Sequence, residues 1–184
     1  MVTLYGAKGL TKREQAQALL KKAAQLCWGM DSLPEHERGE RGKPYFPGFP
    51  SYHFNLSHSG TWALCALSEH PVGVDIQVVR TSWPPRLVER TCTPEELAWL
   101  KRRGDCSEDF AALWACKESA GKECGYGLPY PPSRQTVPLS VFDETVAQDA
   151  EGRFFHTYAG PGWRGAVCAW ERPPEEIIWL SYLE

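Results

Sequence analysis

Residues 61–68 read Thr61-Trp62-Ala63-Leu64-Cys65-Ala66-Leu67-Ser68, and residues 165–171 read Gly165-Ala166-Val167-Cys168-Ala169-Trp170-Glu171. Each is a short apolar run of the length and composition expected of a buried strand. Each ends in an acid, Glu69 after Ser68 in the first and Glu171 in the second. Ala63-Leu64-Cys65-Ala66-Leu67 and Ala166-Val167-Cys168-Ala169-Trp170 thus echo one another about a hundred positions apart. Two buried strands can match by chance over five residues, but a duplicated α+β unit leaves the same trace. The expected fold is α+β: two similar lobes, residues 1–85 and 86–184, related by a pseudo-twofold axis in one compact unit, each with helix before sheet.

The segments around the echo support that reading. Apolar residues recur at Ala16, Leu19, Leu20, Ala23, Ala24 and Cys27, with lysines opposite, so residues 11–28 read as a helix. Residues 34–50 read as loop. Strands are expected at 52–56 and 61–68, with Ser57 to Gly60 as the turn between them, and a third at Val72–Val79. The Pro84-Pro85 pair closes the first half. The second half opens with Thr93 as helix cap, Pro94 at the first helical position and Glu96 completing a capping box. Another helix runs from Ser107 to about Cys124, and strands are expected at Phe154–Tyr158, Gly165–Trp170 and Ile177–Tyr182.

Bulk properties narrow the function. The 184 residues are 42% hydrophobic and 23% charged, an ordinary globular balance. No run approaches the ~20 apolar residues of a membrane span, and the start, MVTLYGAKGL, lacks the basic region that opens a secretory signal. A net charge of −3 argues against a general nucleic-acid binder. The basic residues between Lys8 and Lys22 would suit a small polyanion better than a duplex. Seven cysteines without a C-x-x-C pair read neither as a disulfide framework nor as a zinc site, so a reducing cytosol is expected.

Three places could carry chemistry. Asp75 sits in Val72-Gly73-Val74-Asp75-Ile76-Gln77-Val78, where period-2 alternation puts Asp75 and Gln77 on one face and Val74, Ile76 and Val78 on the other. Such a carboxylate is either paired or metal-bound, or it faces water at a sheet edge. Phe110, Trp114, Glu118 and Lys122 follow at four-residue helical steps and share a face. The acid and lysine form either a charged pair at a lobe interface or an ordinary exposed pair. Ser57-His58-Ser59 offers hydroxyls, amides and an imidazole to a phosphate, or is a plain polar turn. A Ser-His-Asp hydrolase built from Ser57, His58 and Asp75 is a weak competitor, since the serine directly adjoins its own histidine and no G-x-S-x-G elbow is present.

Taken in order, Gly42-Lys43-Pro44, Asn55-Leu56-Ser57-His58-Ser59, Gly73-Val74-Asp75-Ile76 and Trp114-x-x-Lys117-Glu118-x-x-x-Lys122 resemble the 4′-phosphopantetheinyl transferases of the surfactin-synthetase-activating type. The resemblance runs from about residue 11 to the C-terminal strand and includes Gly125-x-Gly127-Leu128. It implies paired α+β lobes with coenzyme A between them, and transfer of the phosphopantetheine arm to a serine of an acyl or peptidyl carrier protein. It also implies a cytoplasmic monomer that binds neither nucleic acid nor membrane.

Residue by residue, the resemblance makes Asp75 and Glu118 carboxylates for Mg²⁺ (or Mn²⁺), Glu118 also the general base, and Lys122 the lysine near the pyrophosphate. Ser57 and His58 match phosphate-contacting positions, Lys43 and Pro44 the segment beside the adenine, and Lys12 and Arg13 a 3′-phosphate contact. The pattern departs at Gln77, where many relatives carry Glu as a third metal carboxylate, so Gln77 is expected to meet the metal through its side-chain carbonyl or to leave the position to water. That departure keeps open a catalytically weak relative that binds coenzyme A or carrier proteins without turnover. Glu96 matches a family acid, but its capping-box role already accounts for it.

Overall fold

The structure, a computed structural model, describes residues 1–12, 14–125 and 132–181. The chain begins with strand β1 (Thr3–Lys8), helix α1 (Glu14–Trp28), two-residue strands β2 (Glu37–Arg38) and β3 (Pro44–Tyr45), and the hairpin β4 (His53–Ser59)–β5 (Trp62–Ser68). Strand β6 (Val72–Val78) leads to helices α2 (Pro85–Thr91), α3 (Pro94–Arg102) and α4 (Ser107–Glu123), then the short α5 (Val141–Glu144). Strands β7 (Val146–Gln148), β8 (Phe154–Gly160), β9 (Trp163–Ala169) and β10 (Ile178–Leu180) complete it.

Two four-stranded sheets result, ordered β10-β1-β5-β4 and β6-β9-β8-β7. Alternation along the strands sorts their side chains into three cores. Ala63, Cys65 and Leu67 of β5 pack under α1 with Tyr5, Leu19 and Leu20. Ala166 and Cys168 of β9 pack with Leu113 and Cys116 of α4. Between the sheets Leu64 and Ala66 meet Val72, Val74, Ile76, Val167 and Ala169. The echoed runs are therefore the matching strands β5 and β9, each with one face to its helix and one to the other sheet.

The hairpins refine the echo. Each has two seven-residue strands joined by two residues, and each second strand starts with tryptophan, Trp62 or Trp163. Those rings lie 5.7 Å apart between centroids, as equivalent residues near a twofold axis would. Pairing Trp62 with Trp163 places the five-residue echo two residues out of step, an even slip that leaves every side chain on the correct face.

Four readings need correction or addition. Ser57-His58-Ser59 is not the turn: β4 runs through Ser59, and the turn is Gly60-Thr61, with Gly60 at a φ of 57° that suits glycine. Residues 34–50 hold the small β2–β3 pair rather than loop alone, and β1 had no counterpart in the sequence reading. Division at residue 85 would leave β6 with the first lobe, yet β6 pairs with β9, antiparallel from Val72↔Ala169 to Val78↔Trp163. Conversely, β10 joins the first sheet, parallel to β1. The capping box stands as expected, with Thr93 and Glu96 each bonded to the other's backbone amide.

β6 also meets the first sheet edge to edge, through side chains. Asn55 Oδ1 accepts from the Val74 amide (2.9 Å), Ser57 Oγ from the Ile76 amide (3.4 Å) and Ser59 Oγ from the Val78 amide (3.0 Å). Alternate residues of β4 thus satisfy alternate amides of β6 that would otherwise be buried and unpaired.

Candidate active site

The acids converge because β6 lies directly on α4. A side chain at Gly73 would collide with backbone atoms of Ser119 and Glu123, so only glycine permits this approach. Asp75, two residues on, shares that face and points at the helix. It is 3% exposed, so the edge-facing alternative is excluded. Its Oδ1 accepts from Ser57 Oγ (2.7 Å) and Lys122 Nζ (2.6 Å), and its Oδ2 from Gln77 Nε2 (2.8 Å). Three donors, one of them charged, compensate the burial of the carboxylate. Lys122 Nζ further donates to the Val74 carbonyl at 3.1 Å.

Glu118 stands one turn before Lys122 on α4 and is half-buried. It makes no hydrogen bond or ion pair with a described residue. Burial pushes its pKa up, the charge of Asp75 pushes it further, and Lys122 pulls the other way. The lysine is therefore not simply a surface partner of Glu118: it bonds to Asp75, and Glu118 is left with acceptor oxygens uncommitted among the described residues. An uncommitted carboxylate with raised proton affinity is suited to take a proton from a hydroxyl.

A cavity of about 380 Å³ opens beside this knot, lined among others by Ser57, His58, Asp75, Lys122, His36 and Arg38. His58 is exposed, on the opposite side of β4 from the Ser57 row. His36 and Arg38 escaped the sequence reading. They fall in a stretch of mixed charge without periodic spacing, and only the β2–β3 pairing brings them to the rim. A second, more apolar cavity of about 420 Å³ is lined by Lys43, Tyr45, Tyr52, His53, Glu123 and Cys124, among others. Pro44 and Phe54 line both cavities, so the two adjoin.

Lys43 proves to be a strut. Its Nζ donates to the carbonyls of Glu123 (2.6 Å) and Val72 (3.2 Å), holding the end of α4 to the start of β6. Burial lowers its pKa, against the opposing pull of Glu123. Lys12 is exposed at the start of α1 and lines neither cavity, while Arg13 lies outside the described residues. Glu96 faces away from the cleft. Its Oε2 pairs with Lys117 Nζ at 2.8 Å, with both side chains buried.

Asp75 and Glu118 offer oxygen donors of the kind a hard divalent cation takes, and the charge of Asp75 helps to raise the pKa of Glu118. The donor set therefore fits a magnesium ion, with Gln77 presenting an amide nitrogen to Asp75 where a third acid would otherwise stand. Among the described residues no three His, Cys, Asp or Glu side chains gather as a metal-holding group.

The family model for the 4′-phosphopantetheinyl transferase superfamily matches residues 71–173, more than half of the chain. The chain belongs to that superfamily. A 4′-phosphopantetheinyl transferase of Bacillus subtilis is 34% identical over 158 residues, covering 82% of this chain and 70% of that protein. The 4′-phosphopantetheinyl transferase Sfp of Bacillus subtilis strain 168 is 34% identical over 160 residues, covering 79% of this chain and 67% of that protein. The mouse L-aminoadipate-semialdehyde dehydrogenase-phosphopantetheinyl transferase is 29% identical over 155 residues, covering 76% and 49% respectively. Within this member of the superfamily the family match opens beside β6, so it spans the unit that holds both Asp75 and Glu118. No helix among the described residues is long and apolar enough to cross a membrane.

Proposed function

We propose that this chain transfers the 4′-phosphopantetheine group of coenzyme A to a serine of an apo acyl or peptidyl carrier protein, releasing adenosine 3′,5′-bisphosphate. The observation that carries the reading is Glu118: a half-buried carboxylate of raised proton affinity, without a bonding partner among the described residues, set on the helix that also aims Lys122 at Asp75. Glu118 takes the proton of the acceptor serine as its oxygen attacks the β-phosphorus and the nucleotide leaves. His58, Lys122 and Arg38 line the cavity with donors for the diphosphate, and Pro44 flanks the adenine. Lys12 and Arg13 are assigned to the 3′-phosphate at the entrance to α1.

Asp75 and Glu118 would hold Mg²⁺, or Mn²⁺ in its place, and a bound cation would supply charge neutralisation at the phosphate oxygens. Gln77 fixes Asp75 through its amide N–H. The chain is proposed to act as a cytoplasmic monomer. The seven cysteines, all free, suit a reducing compartment.

The test incubates the protein with fluorescent coenzyme A, Mg²⁺ and an apo carrier protein. Label on the carrier is expected. Coenzyme binding without labelling, across fatty-acid, polyketide and peptide carriers, would favour a non-catalytic relative and overturn the proposal.

A further inference from the structure

Residues 170–177 carry the chain from β9 to β10, and so from the second sheet to the first, without helix or strand of their own. Pro173 is buried, and the Pro174 carbonyl accepts from Tyr158 Oη at 2.6 Å. The Tyr158 ring is in turn stacked on His156, its neighbour on the same face of β8, with 19° between the planes. His156 is 4% exposed. Its Nδ1 lies 2.9 Å from the Thr157 carbonyl, so in the neutral ring Nδ1 carries the hydrogen and Nε2 the lone pair. Nε2 has no hydrogen-bond partner among the described residues.

A second proton must go on Nε2, and the closed structure resists the charge it brings. Burial weighs most against it and Arg172 adds to that, while the Thr157 carbonyl and Glu175 favour it, so the pKa is lowered. Arg172 and Glu175 both belong to the 170–177 segment. Within the sheet His156 is flanked by Val146 of β7 and Val167 of β9, which bring no charge.

We propose that residues 170–177 are an acid-sensitive strap, released from β8 when His156 takes up its second proton. A charged ring needs water, and the strap is the cover most easily lifted, because it adds no strand to either sheet. An imidazole held below its ordinary pKa of about 6.5 favours the closed strap above that value. The preference is lost as pH falls from there through the lowered pKa. β10 loosens with the strap and leaves the edge of β1 open. The switch stands apart from the transfer activity and does not require it.

Hydrogen exchange, corrected for the intrinsic rate at each pH, reads the strap through the pairs from Tyr5↔Ile178 to Ala7↔Leu180. At about pH 5.5 roughly ten in eleven open molecules carry the proton, so the open fraction can rise up to about 10-fold over its value at neutral pH. Protection of these amides is expected to fall at least about 3-fold in the wild type, with α4 changing less. His156→Phe, which keeps a ring for Tyr158 but has no proton to gain, should stay flat. A smaller fall in the wild type, an equal fall in His156→Phe, or an equal fall throughout α4 would overturn the inference. Should the phenylalanine variant not fold, His156→Gln is also neutral across this range and is read in the same way.

Discussion

The two hairpins share a backbone plan but differ at the edge. The inner residues of β4, Asn55, Ser57 and Ser59, reach out to the amides of β6 and to Asp75. Counted from the turn, their counterparts in β8 are His156, Tyr158 and Gly160. That edge is covered by β7, and His156 and Tyr158 are buried against each other with ring centroids 4.4 Å apart. Tyr158 spends its hydroxyl on the Pro174 carbonyl at 2.6 Å.

The central strands differ likewise. Tyr5 pairs with Cys65 in the first sheet as Asp75 pairs with Ala166 in the second, so the first unit has an aromatic core residue where the second has its acid. Neither unit holds a complete site. The first supplies donors from its hairpin and the β2–β3 pair, the second supplies the carboxylates and Lys122. Division at residue 85 would put Asp75 and Glu118 in opposite lobes, whereas the pairing of β6 with β9 puts both acids in the second unit.

Variants can break this division of labour, beginning with the second unit's interior. Glu96→Ala would strand the buried Lys117 ammonium, which otherwise donates to Glu96, Pro132 and Gln135. Removing one partner of such a pair costs about 3–5 kcal/mol, read by urea denaturation. A loss under about 1 kcal/mol would show that Lys117 finds another partner.

Glu118→Gln, one residue along α4, should do the opposite. The midpoint of unfolding should hold while the transfer rate falls at least ~100-fold, since the proposed base is removed. Near-normal turnover at saturating Mg²⁺ would move the base elsewhere.

Gln77→Glu replaces the amide N–H that holds Asp75 by a third carboxylate. Hard cations favour charged oxygen, so a lower Mg²⁺ midpoint is expected, with little change in turnover at saturation. The apo variant should melt at lower temperature and regain stability as Mg²⁺ is added. An unchanged midpoint would mean that this position does not reach the cation.

The smallest effect is expected at Tyr158→Phe, the counterpart of Ser57. Loss of one hydrogen bond should cost about 1 kcal/mol in thermal stability and leave transfer untouched. A loss of transfer rate in this variant would erase the contrast between the hairpins.

The legible parts of this fold are those where local pattern and final environment agree. β5, β9 and α4 announce themselves because both faces of the strands and most of the helix are buried. The shared face of Asp75 and Gln77 followed from strand alternation, and their hydrogen bond bears it out. Ser57-His58-Ser59 misled for a physical reason: polar residues normally mark a turn, but here their polarity serves the amides of a neighbouring strand. The partner of β6 could not be read, because pairing with residues 163–169 is set by tertiary packing and not by the strand's own pattern. β1 was hidden by its brevity and by Gly6, which reads as a strand breaker. In the structure, Gly6 leaves room for the ring of Trp179. The motif residues Gly127 and Leu128 lie outside the described residues.

The parallel pairing of β10 with β1 bears on how the protein comes to be made. Tyr5 must wait for Ile178, and Ala7 for Leu180, so the first sheet to emerge during synthesis is among the last to be finished. Contacts of such sequence separation slow folding, because the intervening loop must close before they form. Until then β1 presents an open edge, a hazard for association between nascent chains. Severing the chain between β6 and α2 would therefore not release two independent domains, since each fragment would carry a strand that belongs to the other's sheet.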